Sequence, residues 1–188
     1  MKSVTIRMAR DTDGDAIAGL IAGAFAEYAG CVFDRAAEFP ELDAIASHFA
    51  ARGGVIWVAE GGVEGTFEGG KPPAVIGSLA IAPSGDDDAP AGALELFKVY
   101  VAASARRRGV ARALFDEARR HALAREAPEI RLWTDTRFLD AHRFYERCGF
   151  RRISGARACH DLSATWEYPY RLGLRAAGDA LADLLAES

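Results

Sequence analysis

The chain has 188 residues, of which 50% are hydrophobic and 27% are charged, and its formal net charge is -4. This length predicts one domain spanning residues 1–188, with enough apolar side chains to bury a core, and it excludes a disordered or fibrous chain. An acidic balance, with a sequence pI of about 5.6, argues against a nucleic-acid-binding protein, which is normally basic overall or carries a basic stripe.

No apolar run approaches the roughly 18 residues that a membrane span needs, and the opening MKSVTIRMARD lacks the apolar segment of a signal peptide. We therefore expect a cytoplasmic protein without a membrane contact. The three cysteines, Cys31, Cys148 and Cys159, are far apart and lack metal-ligand spacing, and the four histidines are scattered singly. Neither a disulfide framework nor a metal site is expected.

The first half of the chain combines strands and helices. Alternation predicts a strand at Ser3–Met8, and Asp11-Thr12-Asp13 can cap a helix that runs to about Tyr28. A second helix follows Pro40, with Leu42, Ile45, Ala46 and Phe49 on one face. Two further strands, Val55–Ala59 and Ala74–Ile81, are joined by the glycine-rich stretch Gly61 to Pro73. This pair reads as a hairpin.

Regular alternation of strands and helices marks the second half. The predicted order is strand Ala93–Val101, helix Gly109–Arg125, strand Ile130–Thr134, helix Phe138–Arg147 and strand Phe150–Ser154. Such βαβ units predict a mixed α/β domain whose sheet is partly parallel. Ala164–Tyr170 is expected at a sheet edge, because Pro169 cannot donate to a ladder. A terminal helix, Arg175–Ala186, carries an apolar stripe that could pack on the sheet or on a second subunit, so a homodimer is possible.

The segment richest in chemistry is the basic turn Arg106-Arg107-Arg108-Gly109, which joins a strand to a helix. Free N–H groups and the positive end of the helix dipole point to whatever lies over such a turn, and Gly109 lets a phosphate approach closely. Arginine side chains add charge. The turn lacks the Gly-Lys-Ser/Thr ending of a P-loop and the three spaced glycines of a dinucleotide fold. On the arginines alone, a solvated, salt-bridged helix start is an equally good interpretation.

Two blocks of sequence resemble the GNAT superfamily, the GCN5-related N-acetyltransferases. The family signature Arg/Gln-x-x-Gly-x-Gly/Ala is matched by Arg106-Arg107-Arg108-Gly109-Val110-Ala111, and its Ala-x-x-x-Tyr-x-x-x-Gly-Phe ending by the segment from Ala141 to Phe150. The resemblance covers residues 94–150 firmly. It implies a GNAT fold and an acetyltransferase that uses acetyl-CoA as co-substrate, without a metal.

The resemblance also assigns roles to individual residues. The backbone amides of Arg106, Arg107, Arg108, Gly109, Val110, Ala111 and Arg112 would cradle the pyrophosphate of acetyl-CoA. The main chain of Val99, Tyr100 and Val101 would bind the pantetheine arm. Tyr145 would protonate the departing CoA thiolate, although a core aromatic on an amphipathic helix is its alternative reading. Phe138 stands where many members carry an asparagine that contacts the cofactor.

An amine acceptor must lose a proton before it can attack a thioester. Glu95 lies eleven residues ahead of Arg106, as the catalytic glutamate does in histone-acetylating members that this chain resembles, so Glu95 is the candidate base. A strand carboxylate facing solvent, with a water relay as base, is the alternative. We expect direct acetyl transfer in a ternary complex to a primary amine of a small molecule or peptide. The resemblance implies that residues 25–49 would form the wall of the acceptor pocket. A GNAT-fold module that binds acyl-CoA without turnover is the second hypothesis.

Overall fold

A computed structural model describes residues 4–61 and 73–174. The glycine-rich connection and the predicted terminal helix, with its possible dimer contact, lie outside the described residues. Within the described part, no helix is long and apolar enough to cross a bilayer.

Eight strands and five α-helices are described; the sequence predicts the longer ones in this order, whereas α2 and β7 are not predicted. The strands are β1 Thr5–Met8, β2 Val55–Gly61, β3 Ala74–Pro83, β4 Leu94–Val101, β5 Glu129–Asp135, β6 Arg151–Arg152, β7 Arg157–Ala158 and β8 Trp166–Gly173. The helices are α1 Gly14–Phe25, α2 Arg35–Glu38, α3 Ile45–Ala51, α4 Val110–Ala124 and α5 Leu139–Arg147.

One mixed sheet connects all of these strands in the order β1-β2-β3-β4-β5-β8-β6, with β7 also paired to β8. Among the strands that the structure describes, only β4 and β5 run parallel, and α4 forms the crossover between them. A parallel pair requires such a crossover, since its two strands must both start at the same end of the sheet. The mixed α/β class and the partly parallel sheet that the sequence predicts are therefore confirmed.

Strand β8 does not lie at an edge, so that prediction is wrong. It pairs with β5 along its whole length on one side and with the short strands β6 and β7 on the other. The carbonyl of Pro169 accepts a hydrogen bond from the N–H of Ile153 at 3.1 Å, so its ring nitrogen faces the same side. On that side the pairing of β8 with β6 ends at Arg152. The N–H group that Pro169 lacks is therefore not needed for the hydrogen bonds between β8 and β5.

The two faces of the sheet are covered by different helices. Helices α4 and α5 pack on one face, where Leu114, Phe115 and Tyr145 are buried. Helices α1 and α3 pack on the other, where Ile17 and Phe49 are buried. Each strand sends alternate side chains to the two faces, as period-two patterning requires.

Strand β4 contains a bulge that changes its alternation. Lys98 has a φ of +52°, and Ala80 pairs with Phe97 while Ser78 pairs with Tyr100, so one residue of β4 is extra. As a result Phe97 and Tyr100 face α1, whereas Val99 faces α4. Plain alternation would put Glu95, Phe97, Val99 and Val101 on one face, but the extra residue moves Val99 and Val101 to the opposite face from Phe97.

The parallel strands β4 and β5 separate soon after they meet. Their pairing is limited to Leu94 with Ile130 and Glu95 with Arg131, although both strands continue for several residues. From Leu96 onward the edge of β4 that faces β5 has no strand partner in the described structure. Backbone N–H and C=O groups inside a protein are nearly always paired, so this gap is a natural place for an extended ligand.

Candidate functional site

A cleft of about 1080 Å³ lies beside the end of β4, the part of the strand that no longer pairs with β5. The end of β4, the β4–α4 turn, the first turn of α4 and one face of α5 form its walls. Ala24 and Tyr28, from the end of α1, close it on the opposite side of the sheet. The cleft thus connects the two faces of the sheet.

The main chain of β4 presents hydrogen-bonding groups to this cleft. The N–H of Ala102 bonds the carbonyl of Ile76 on β3 at 2.9 Å. Successive residues of a strand direct their backbone groups to alternate edges, so Val101 and Val99 direct theirs away from β3 and into the gap. Tyr100 points its backbone toward β3, and its side chain lines the cleft.

Helix α4 begins at the cleft with a glycine in the left-handed region. Gly109 has a φ of +80°, and a Cβ built on it would meet no protein atom within 4 Å. Only glycine adopts this conformation without strain. The N–H groups of the first turn of this 15-residue helix have no intrahelical partner, so they can bind an anion. The turn between β4 and α4 therefore fits a phosphate group.

Nine of the ten residues that the sequence predicts at the cofactor line the cleft; Arg108 does not. Arg107, Arg112, Arg143 and Arg147 give the lining an excess of positive charge over the acidic Asp140. Arg143 and Arg147 were missed by the sequence analysis. Their spacing of four residues on an amphipathic helix places them on one face, which was the available signal.

Arg106 is engaged with an acid. Its Nη1 and Nη2 atoms donate to the two carboxylate oxygens of Glu27, both at 2.6 Å, and its Nε donates to the carbonyl of Val101 at 3.3 Å. Glu27 lies just beyond α1, and 79 residues separate the partners. The ion pair joins the end of α1 to the β4–α4 turn.

Tyr145 lies at the inner wall of the cleft on α5 and is 5% exposed. Its ring packs near Phe150 and Tyr170, with centroids 5.9 and 6.1 Å away. Burial raises the pKa of its hydroxyl well above the usual value, so the group is protonated at neutral pH. Tyr145 therefore combines a packed aromatic ring with a protonated hydroxyl in a residue that lines the cleft.

Glu95 is buried at the point where β4 and β5 part, and it is not among the residues that line the cleft. The hydroxyl of Ser84 donates to its Oε2 atom at 3.2 Å. Burial and the neighbouring charge of Asp86 raise the pKa of this carboxyl. Glu95 is accordingly less acidic than a solvated carboxylate, so it accepts a proton more readily.

Aromatic side chains dominate the wall beside the end of α1. The ring of Phe25 contacts those of Phe33, Phe39 and Phe138 at centroid distances of 6.5, 6.0 and 6.0 Å. Tyr28 lies 4.6 Å from Phe138. Phe138 thus makes apolar contacts between the end of α1 and the start of α5. Phe25, Phe33 and Phe39 fall within residues 25–49, but no local pattern in the sequence indicates that their rings contact one another.

No group of three or more histidine, cysteine, aspartate or glutamate side chains placed to hold a metal ion occurs within residues 4–61 and 73–174. His142 is held by a hydrogen bond between its Nε2 and the carbonyl of Asp135 at 2.8 Å. Asp86 and Asp88 bind Arg131, and Asp86 also accepts from the indole of Trp133. These polar side chains fix the loop before β4.

Solved structures share this fold. A GNAT-family acetyltransferase from Staphylococcus aureus Mu50 aligns over 92% of this chain and 100% of its own, with a TM-score of 0.71 and 19% identity. A Salmonella typhimurium protein whose structure contains its cofactor acetyl-CoA aligns over 92% and 94%, with a TM-score of 0.68 and 18% identity.

A third similar structure is a ribosomal-protein-alanine N-acetyltransferase from Brucella melitensis. It aligns over 90% of this chain and 99% of its own, with a TM-score of 0.66 and 19% identity. Comparison with curated protein sequences gives no match. A sequence model of the Acetyltransferase (GNAT) family matches residues 16–150, which is most of the chain. The chain therefore belongs to the GNAT family of acetyltransferases.

Proposed function

We propose that this protein moves an acetyl group from acetyl-CoA to a primary amine of a small molecule or peptide, by direct transfer in a ternary complex in the cytoplasm. The observation that carries the proposal is the cleft beside the end of β4, which combines unpaired strand backbone, an anion-binding turn and a tyrosine hydroxyl. Each of these suits one part of an acyl-CoA: the amide-containing arm, the diphosphate and the sulfur.

The residues around the cleft fit acetyl-CoA on chemical grounds. The N–H groups at Gly109, Val110 and Ala111 would hold the diphosphate, because a Cβ at Gly109 would project into the space that a phosphate needs. The backbone of Val99 and Val101 would pair with the amides of the pantetheine arm. When bound, acetyl-CoA supplies an acetyl group activated as a thioester.

Tyr145 would act as general acid. Because its pKa is raised by burial, the hydroxyl keeps its proton at neutral pH and can donate it to the sulfur as the C–S bond breaks. The aromatic packing around the ring holds the hydroxyl in one place, so the donor needs little reorganisation.

Glu95 would act as general base toward the amine. The bulge at Lys98 leaves Glu95 on the same face of β4 as Phe97 and Tyr100, the face that α1 covers. We place the acceptor on that face, beside the aromatic wall that includes Phe25 and Phe138. Since Glu95 lies outside the cleft lining, the amine proton would reach it through water.

The test is a steady-state assay of CoA-thiol release with a panel of amines, peptides and aminoglycosides, followed by mass spectrometry of the acceptor. Acetyl transfer predicts thiol release that requires the amine and a product heavier by one acetyl group. Binding of acetyl-CoA without release for any amine would favour the second candidate, an acyl-CoA-binding module that does not turn over.

A further inference from the structure

The end of α1 touches both sides of the cleft through two neighbouring residues. Glu27 accepts the bidentate pair of hydrogen bonds from Arg106, which belongs to the β4–α4 turn. The ring of Tyr28 lies 4.6 Å from that of Phe138, which precedes α5, with the two ring planes tilted by 39°. The end of α1 therefore connects the β4–α4 turn to the start of α5, across the cleft that opens where β4 and β5 separate.

This arrangement bears on what the side chain of Arg106 does. Bidentate pairing of a guanidinium with a carboxylate is a strong, directional contact, and here both side chains are only about one-third exposed, at 36% and 37%. The bond from Nε to the carbonyl of Val101 fixes the guanidinium at the end of β4. An anion over the turn would have to compete with Glu27 for this side chain.

Other positive groups are free to meet an anion. Arg107 and Arg147 line the cleft and form no salt bridge with any residue in the described part of the chain. These two arginines and the N–H groups of the first turn of α4 can bind a phosphate without the side chain of Arg106.

We propose that Glu27 is a positioning residue which, through Arg106, holds the end of α1 at the acceptor side of the cleft. The side chain of Arg106 serves this contact and leaves the diphosphate to its own backbone N–H and its neighbours. The inference rests on the proposed acetyl transfer and deepens it, since it names what fixes the wall against which the amine binds.

The experiment compares Glu27→Gln, Arg106→Gln and the double variant. A partly exposed bidentate pair predicts that each single variant raises the KM for the acceptor by about 3- to 10-fold, with the Kd for CoA unchanged within about twofold. Because the two side chains act through one contact, the double variant should be no worse than either single variant. Asp15→Asn, which removes the 2.6 Å contact of Arg35 at the other end of α1, is the matched control and should leave the acceptor KM unchanged.

The opposite pattern would overturn the inference. If the side chain of Arg106 binds the diphosphate and Glu27 merely competes for it, Arg106→Gln weakens CoA binding more than tenfold and Glu27→Gln strengthens it. Isothermal calorimetry with CoA alone separates the two patterns without any turnover.

A second measurement keeps the inference independent of the proposed activity. The N–H groups of Ala26, Glu27 and Tyr28 bond carbonyls in the last turn of α1, and we expect their hydrogen exchange to accelerate in Glu27→Gln and not in Asp15→Asn. Unchanged exchange would refute the positioning role. If no amine supports thiol release by the native protein, the proposed function fails, whereas exchange and CoA binding still decide the role of Glu27.

Discussion

A Cβ atom placed on Gly77 would lie 3.0 Å from Cγ1 of Val110 and 3.3 Å from the carbonyl oxygen of Tyr100. Strand β3 therefore meets the first turn of α4 at a position with no room for a side chain. This contact sets the height of the helix start above the sheet, and with it the position of the anion-binding turn.

Gly77→Ala should consequently disturb both stability and cofactor binding. We expect a loss of about 1–3 kcal/mol in the free energy of unfolding, measured with urea, because overpacking pushes α4 outward. The affinity for CoA should fall with it. Gly19→Ala on α1 is the control, since a Cβ there meets no atom within 4 Å and alanine favours a helix by up to about 1 kcal/mol. A Gly77→Ala protein as stable as the native one would show that α4 yields without cost.

Gly109→Ala should weaken CoA binding by about tenfold or more. A non-glycine residue in the left-handed region costs roughly 1–2 kcal/mol, and the added methyl group would stand where a phosphate approaches. Gly155→Ala is a matched control, because Gly155 also has a positive φ and open space around it but does not line the cleft. Calorimetry with CoA measures both. Equal affinity of the two folded variants would move the diphosphate site elsewhere.

Tyr145→Phe should lower kcat by about 10²-fold or more while leaving the Kd for CoA nearly unchanged, because a positioned proton donor contributes about 10²–10⁴-fold to rate. Stability should change little, since the ring and its packing remain. Tyr170→Phe removes a hydroxyl from a neighbouring buried ring outside the cleft lining, and it should turn over at the native rate. Native kcat in Tyr145→Phe would leave Tyr145 with a packing role only.

Glu95→Gln should depress kcat more at pH 7 than at pH 9, where the amine increasingly deprotonates itself. Rates over this pH range measure the effect. An equal loss at both pH values would point to an orienting role, and no loss at either would favour a water relay without Glu95.

The same variant should also be more stable than the native protein at neutral pH. Burial raises the pKa of Glu95 in the folded state, so its ionised form opposes folding. The native protein is therefore favoured when this carboxyl is protonated, and that advantage is lost as pH rises through the folded-state pKa. Thermal unfolding should give Glu95→Gln a higher Tm than the native protein at pH 7, and this difference in Tm should become smaller as the pH is lowered. A difference that does not depend on pH would argue against a raised pKa.

Much of this architecture can be predicted from periodicity, because helices α4 and α5 and strands β2 to β5 are long and strongly patterned. The order of strands is harder. Pro169 suggests an edge, yet the short strand β6 ends before it needs the missing N–H group. Pairing of that kind depends on how far a neighbour extends, which local sequence does not record.

The candidate site divides in the same way. Gly109 and Tyr145 lie within motifs whose spacing is visible in the sequence, and the structure places both at the cleft. The contact of Glu27 with Arg106 joins residues 79 positions apart, and no local pattern announces it. The bulge at Lys98 could not be predicted either, because lysine is not a residue that favours a positive φ.

The bulge at Lys98 determines whether Glu95 and Tyr100 lie on the same face of the sheet. Eleven positions separate Glu95 from Arg106, but one residue of β4 within this interval has no partner of its own on β3. If all eight residues of β4 alternated regularly, Glu95 and Tyr100, which are five positions apart, would lie on opposite faces of the sheet. Deleting Lys98 would instead remove the extra residue and keep the candidate base and Tyr100 on the same face.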